Sequence, residues 1–494
     1  MTSRQTSLTF AAFVAMLVLA ALDQTILATA LPGIIREFHG ASQVSWIFSA
    51  YLIASTVVVP LYGKLADVHG SKPLLLWATG LFLAGSLSCG LSASMTQLVL
   101  ARAVQGAGGG GLLTLTMLGV VDLFPLEERG RYQGLLGASY GVSTMFGPLV
   151  GGYIVEHLSW HWAFFINVPV AIVALAVLAA SFRPPEARHP HPIDWLGAAL
   201  LSATLVCLLL ATRREGGEGA LGGSGVGLGE MLGLLAAAAV LAAAFVAVER
   251  RVAHPLLPPA LFTQRTFIAA TLVSAASGVV LFAAVVFLPI YLQSGLGHSP
   301  TGSSWRLMPV SVGITLAAIV SGRMLRARGR VRGVAVGACL LSALAFSALV
   351  LVFNHAPTQV GWMSLFLFPL GLGIGALFPL VTVVSQFSVP PHMIGVGTST
   401  PIMVRTLGGA LGIAAMGSLL AHGMQAFLAG DGVRMAATNP FAAAFAAGIQ
   451  PVYEVAALVC LVGAVAAVFL PERLVRPTAD APGPKAGAVP AVGR

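Results

Sequence analysis

Residues Gly63–Pro73 read GKLADVHGSKP, and Gly322–Arg332 read GRMLRARGRVR. Both open on glycine and a basic residue, and both place a second glycine seven residues on, at Gly70 and Gly329. The offset between them is 259 residues. The same offset carries the run Gly106–Gly111 close to Gly371, Gly373 and Gly375, and the cluster Gly147, Gly151 and Gly152 close to Gly408, Gly409 and Gly412. Three matched features at one offset predict two homologous halves.

Composition says what the halves are made of. The 494 residues are 57% hydrophobic and 9% charged, against roughly 25% charged in a soluble domain. Mean hydropathy is +0.91. A soluble core this rich would lack the charge to cover its own surface. A soluble enzyme, a nucleic-acid-binding protein and a disordered chain are therefore excluded. The apolar runs are continuous, not alternating, which argues for spanning helices over a membrane barrel. The 57 glycines suit helices packed closely in lipid.

Charged or Pro/Gly-rich breaks divide the chain into fourteen apolar spans: 8–32, 45–63, 74–93, 96–120, 133–155, 162–182, 193–212, 229–249, 266–292, 303–322, 333–353, 361–384, 395–421 and 451–470. With the N-terminus in the cytoplasm, nineteen of the 26 Lys and Arg fall on the inner side and five on the outer (Arg36, Arg213, Arg214, Arg306, Arg434). That bias is the positive-inside pattern and reads the +9 net charge as topology. The expected fold is an all-α polytopic membrane protein of 14 transmembrane helices. A six-helix bundle covers 1–192, an inserted helix pair 193–263, a second six-helix bundle 264–471, and a disordered cytoplasmic tail 472–494. The loop from Gly216 reads as a flexible linker. The first apolar stretch resembles a signal peptide, but its length and Asp23 favour an uncleaved helix. Cys89, Cys207, Cys339 and Cys460 each sit inside an apolar run with no metal-type spacing, which points to packing.

Few charges remain inside spans. Asp23 is near the middle of the first, where a charge costs several kcal/mol unless it meets water or a partner. Low dielectric favours the neutral carboxyl and a nearby arginine favours the carboxylate. A group balanced between the two can take and release a proton. The alternative is a permanent ion pair that locks two helices. Arg102, inside the fourth span, cannot lose its proton and is a fixed positive charge able to tune or contact Asp23. Gln105 lies almost one turn on, on nearly the same face. Arg405 reads as a second-half counterpart or as an anchor. In the loop from Gly63, the glycines Gly63 and Gly70 permit tight turns, and Asp67 can cap a neighbouring helix, which suits a latch. Gly147, Pro148, Gly151 and Gly152 read as a packing and hinge feature. Glu156 and Glu454 read as wetted helix ends, and His157 and His161 lack a third metal ligand. No GxxxxGK[ST] loop marks ATP as the energy source, and no GxSxG marks an enzyme.

These residues resemble the major facilitator superfamily in its fourteen-helix drug/proton antiporter branch. The resemblance rests on LDQTILATALP (Leu22–Pro32), GKLADVHGSK, LARAVQGAGGGG around Arg102, GVSTMFGPLVGG (Gly141–Gly152), WHWAFFINVP (Trp160–Pro169), DWLGAALL at Asp194, VERRVAHPLLP at Val248 and VRTLGGALGIA at Val404. The chain departs from the pattern at Val68 and Ser71, where the family usually carries arginine, and at His161, another usual arginine. The first two departures imply a weaker charge latch. The resemblance implies two facing six-helix bundles with an added helix pair, alternating access, and a proton-linked acid and basic residue mapped onto Asp23 and Arg102. It also implies efflux, from the span-five motif. The resulting expectation is a proton-coupled exporter of lipophilic or cationic small molecules in the cell membrane, both termini cytoplasmic. It would have no cofactor or metal, the proton gradient as energy source, small-molecule substrate, protons and lipid as partners, no nucleic acid, and function as a monomer. Candidate cavity residues are Thr25, Gln105, Asn167 and Arg405. The alternative is a dedicated exporter of one metabolite such as an antibiotic or siderophore, which a resistance screen against many dyes would separate.

Overall fold

The computed structural model describes residues 2–38, 43–184, 192–212, 227–355, 360–429 and 440–474. Its helices are α1 (Ser3–Phe38), α2 (Val44–His69), α3 (Ser71–Gly90), α4 (Met95–Leu123), α5 (Leu126–His157), α6 (Trp162–Phe165), α7 (Asn167–Ser181), α8 (Trp195–Ala211), α9 (Leu228–Glu249), α10 (Arg265–Phe282), α11 (Leu288–Ile290), α12 (Pro300–Arg328), α13 (Arg332–His355), α14 (Val360–Phe387), α15 (Ile394–Ala429) and α16 (Pro440–Val468). Helices are what lipid demands, because each satisfies its own backbone groups. Side chains close some of the ends: Ser94 accepts from the Gln97 amide at the start of α4, and Ser299 from the Gly302 amide at the start of α12. Around α11 the chain winds as two wide π turns, Ala283–Phe287 and Tyr291–Gly295.

Among the described residues, twelve helical stretches are long and apolar enough to cross a membrane, not the fourteen expected. The two exceptions have physical reasons. α8 is 17 residues long, about 25 Å at 1.5 Å per residue, against a hydrocarbon core of roughly 30 Å. α5 has 32 residues, but glycines, serines and the charged start Glu127–Arg131 dilute its apolar character. The expected inserted pair is thus one long apolar helix, α9, packed on a shorter one, α8. The first three residues of the expected tail fall within the described residues. Residues 472–474 are paired, with the Leu474 amide donating to the Gly329 carbonyl at 2.9 Å and the Val331 amide to Glu472 at 3.1 Å. Residues 475–494 and the Gly-rich linker lie outside the described residues.

The matched glycines make matched contacts. A Cβ on Gly106 or Gly110 would meet α2 at the Tyr51 or Ser55 carbonyl, 2.4 Å away in each case. A Cβ on Gly371 or Gly375 would meet α12 at the Val310 or Ile314 carbonyl, at 2.1 and 2.2 Å. Between them, Gly108 faces α3 and Gly373 faces α13. α4 and α14 therefore wedge between their neighbours in the same way. Gly147 and Gly151 seat α5 against Thr25 and Thr29 of α1, as Gly408, Gly409 and Gly412 seat α15 against α10. The two halves meet along α5 and α12, where Gly130 and Gly134 face Gly322, Ala318 and Leu325, and along α2 and α15.

Candidate functional site

The mid-span charges converge in the first half. Arg102 Nη1 donates to Asp23 Oδ2 at 2.5 Å and to Gln105 Oε1 at 2.6 Å. Its Nε donates to the Ile47 carbonyl at 3.3 Å. The other carboxylate oxygen, Asp23 Oδ1, accepts from Gln105 Nε2 at 2.7 Å and from Asn167 Nδ2 at 3.1 Å. Both amides also donate to Ser86 Oγ at 3.0 Å, and Ser86 in turn donates to the Phe164 carbonyl. Four helices, α1, α3, α4 and α7, contribute side chains, and α2 and α6 contribute the Ile47 and Phe164 carbonyls. Asp23 is 2% exposed and Arg102 1%. Taking two charges out of water is costly, and the attraction repays that only with good geometry and further hydrogen bonds. Here those hydrogen bonds are present. The Arg102 guanidinium also lies 4.3 Å from the Tyr51 ring centre and 5.9 Å from that of Phe164.

Tyr51 has a second side. It lines a cavity of about 60 Å³ between the halves, together with Gln24 of α1, Tyr140 of α5, Phe378 of α14 and Arg405 of α15. Tyr51 is therefore a wall with the ion pair behind it and the cavity before it. A drug-sized ligand needs roughly 300–1,000 Å³, so the halves must part to admit one. The Arg405 guanidinium lies 4.2 Å from the centre of the Phe378 ring. Its backbone is fixed, because a Cβ on Gly278 of α10 would come within 2.0 Å of the Arg405 carbonyl.

Of the four residues expected along the cavity, Arg405 lines it. Gln105 and Asn167 are fully buried in the Asp23 network instead. Thr25 turns its hydroxyl back onto the Leu22 carbonyl at 3.0 Å and packs on Gly147. In each case the side chain is taken up by a polar partner, and none of the three lines the cavity. Asp67 accepts from the Gly395 amide at 2.7 Å and the Val396 amide at 3.1 Å, and so caps the start of α15 in the other half. Gly70 has φ +82° and makes the turn between α2 and α3. Gly63 makes no turn: it lies within α2, where a Cβ would sit 2.2 Å from Ser399 Oγ and 2.6 Å from the Gly395 carbonyl. Ser71, in place of the family's arginine, donates to Asp122, and Lys64 donates to the Pro255 carbonyl at 2.9 Å. α5 is helical throughout Gly147, Pro148, Gly151 and Gly152.

A sequence model described as Major Facilitator Superfamily matches residues 13–413. The chain belongs to that superfamily. It is 37% identical over 84% of its length to an uncharacterized MFS-type transporter of Mycobacterium tuberculosis, and spans 59% of that relative. It is 32% identical to multidrug resistance protein 3 of Bacillus subtilis over 82% of this chain and 77% of the relative. In three dimensions it is similar to the proton:xylose symporter XylE, with TM-score 0.64 at 14% identity over 94% of this chain and 95% of the other. At that identity the likeness concerns the fold alone. The family is one of membrane transporters, not of enzymes.

Several residues of this major facilitator site carry no sequence signal. Ser86 and Tyr51 are ordinary polar and aromatic residues within apolar runs. Cys89, read as packing, borders the network, its thiol 3.5 Å from Gln105 Oε1. Gln24 is next to Asp23 in sequence, but one residue turns a helix by about 100°, which carries Gln24 from the network to the cavity.

Proposed function

We propose that this chain is a proton-coupled antiporter that exports lipophilic small molecules by alternating access. The observation that carries the reading is the buried Asp23–Arg102 pair, one aromatic ring away from a cavity shared by the two halves. Asp23 is the proton-binding group and Arg102 its fixed counter-charge. Protonating Asp23 removes the negative end of the pair, and the guanidinium then keeps Gln105, the Ile47 carbonyl and the Tyr51 ring as partners. Any re-aiming of Arg102 displaces Tyr51, which is also the cavity wall. Proton and substrate thus bias one two-state equilibrium in opposite senses. The relative named multidrug resistance protein 3 supports export of drug-like compounds.

The latch belongs to the same proposal. Asp67 capping α15 holds one end of the molecule shut, and that end is assigned to the cytoplasm by the arginine bias. The fourteen-helix topology is part of it too, with α5 and α8 crossing beside the twelve, the 17-residue α8 at the short limit of what can span. α5 supports this by packing on α1 and α12, and α8 by packing on α9 and α2. The protein is placed in the plasma membrane with both termini cytoplasmic and acts as a monomer without cofactor.

The test is efflux of a fluorescent lipophilic dye from cells making the protein, with and without a proton ionophore, beside the Asp23→Asn variant. Ionophore-sensitive efflux that Asp23→Asn abolishes is expected. Efflux indifferent to both would end the proton-coupling reading.

A further inference from the structure

We infer that the cavity takes an amphipathic organic anion, with Arg405 as the partner of its acidic group. This rests on the exporter reading and adds the substrate class. Among the described residues, the lining of the cavity contains no Asp, Glu, Lys or His, and its one formal charge is Arg405. Among the described residues no carboxylate lies within 4 Å of that guanidinium, whose neighbour is the face of Phe378. Asp23 is not available to it: both carboxylate oxygens are engaged in the network behind Tyr51. Asp23 and Arg102 cancel each other, so the cavity wall carries the uncompensated charge of Arg405 alone.

A cation entering this space meets a like charge with no carboxylate to offset it. An acidic group meets a guanidinium whose paired N–H donors fit it in fork geometry. The Tyr140 hydroxyl and the Gln24 amide line the same space and suit its remaining acceptors, while the Ser55 and Thr406 hydroxyls donate to the Leu52 and Ile402 carbonyls of their own helices. Leu52, Leu113, Leu281 and Phe282 supply the apolar surface for the body of the molecule. Among lipophilic substrates, the lining therefore favours carboxylates, sulfonates or phosphates on an aromatic or aliphatic body over cations. An anion and a proton do not compete for one charge here, so exchange between them runs through the conformational equilibrium of the halves.

The experiment uses three probes with one skeleton: pyrenebutyrate, its neutral amide, and pyrenebutylamine. Binding to the purified full chain in neutral detergent is read by fluorescence anisotropy, for wild type, Arg405→Gln and Arg405→Lys. Wild type is expected to bind the anion at least about tenfold tighter than the amine. Arg405→Gln is expected to erase that ratio and Arg405→Lys to keep most of it. Partition into micelles is common to all three proteins and cancels in the comparison. Failure of wild type to prefer the anion, or an unchanged ratio in Arg405→Gln with the melting temperature retained, would overturn the inference. The two readings fail separately. Ionophore-sensitive dye efflux without anion preference sinks this one alone, and anion preference without proton drive sinks proton coupling alone.

Discussion

Asp23 holds three donors, from Arg102, Gln105 and Asn167, in a space shut off from water. Removing its partner leaves a buried charge uncompensated, which costs about 3–5 kcal/mol, whereas an exposed pair contributes about 0–1 kcal/mol. Arg102→Ala should therefore lower the melting temperature far more than Arg326→Ala, whose partner Glu128 is 3.3 Å away at a half-exposed site. Thermal unfolding followed by circular dichroism of the two variants decides it, and equal losses would contradict the pairing. Asp23→Asn keeps the shape of the side chain and leaves Arg102 its Gln105, Ile47 and aromatic contacts. It should insert at wild-type levels and lose proton-driven efflux in vesicles. The charged members of this network were legible, because a charge inside an apolar run stands out. Ser86 and Tyr51 were not, because a serine or tyrosine in a helix becomes part of a network only when another helix brings a partner.

At the scale of the element, the contact between α2 and α15 depends on what Gly63 lacks. Any side chain there runs into Ser399 and the Gly395 carbonyl. Gly63→Val should hold the two helices apart. Spin labels on exposed His69 and His392 should then report a longer mean distance by pulsed electron resonance, and an unchanged distribution would show that the contact is not what closes this end. Asp67→Ala removes the cap on α15 at about 0.5–2 kcal/mol, and so should shift the same distribution toward the longer distance by roughly two- to thirty-fold in population. A capping role for Asp67 was readable from its place near helix ends. The identity of the capped helix was not, since Gly395 lies 328 residues away and the sequence carries no mark of that pairing. Gly63 looked like a turn residue for a related reason: a glycine needed for close approach and one needed for a positive φ are the same letter.

At the scale of the molecule, the glycine repeat announced two halves, and its glycines do make equivalent contacts in both. Counting helices was harder, because apolarity along the chain does not separate a short helix or a glycine-rich one from a long apolar span. α9, 22 residues or about 33 Å, is long enough to cross. In a cysteine-free background, single cysteines at Glu230 and Arg250 should be labelled by an impermeant maleimide from opposite faces of oriented vesicles; labelling from one face would place α9 along the membrane surface. The native thiols suggest another use. Cys89 is buried in the first half, Cys339 and Cys460 in the second, and Cys207 is half-buried on α8. The three buried thiols cannot react freely until their surroundings loosen, whereas Cys207 is partly accessible from the start. Peptide mapping of maleimide uptake by Cys89, Cys339 and Cys460 during slow denaturation should therefore give, from the unmodified chain, the order in which the two halves come apart.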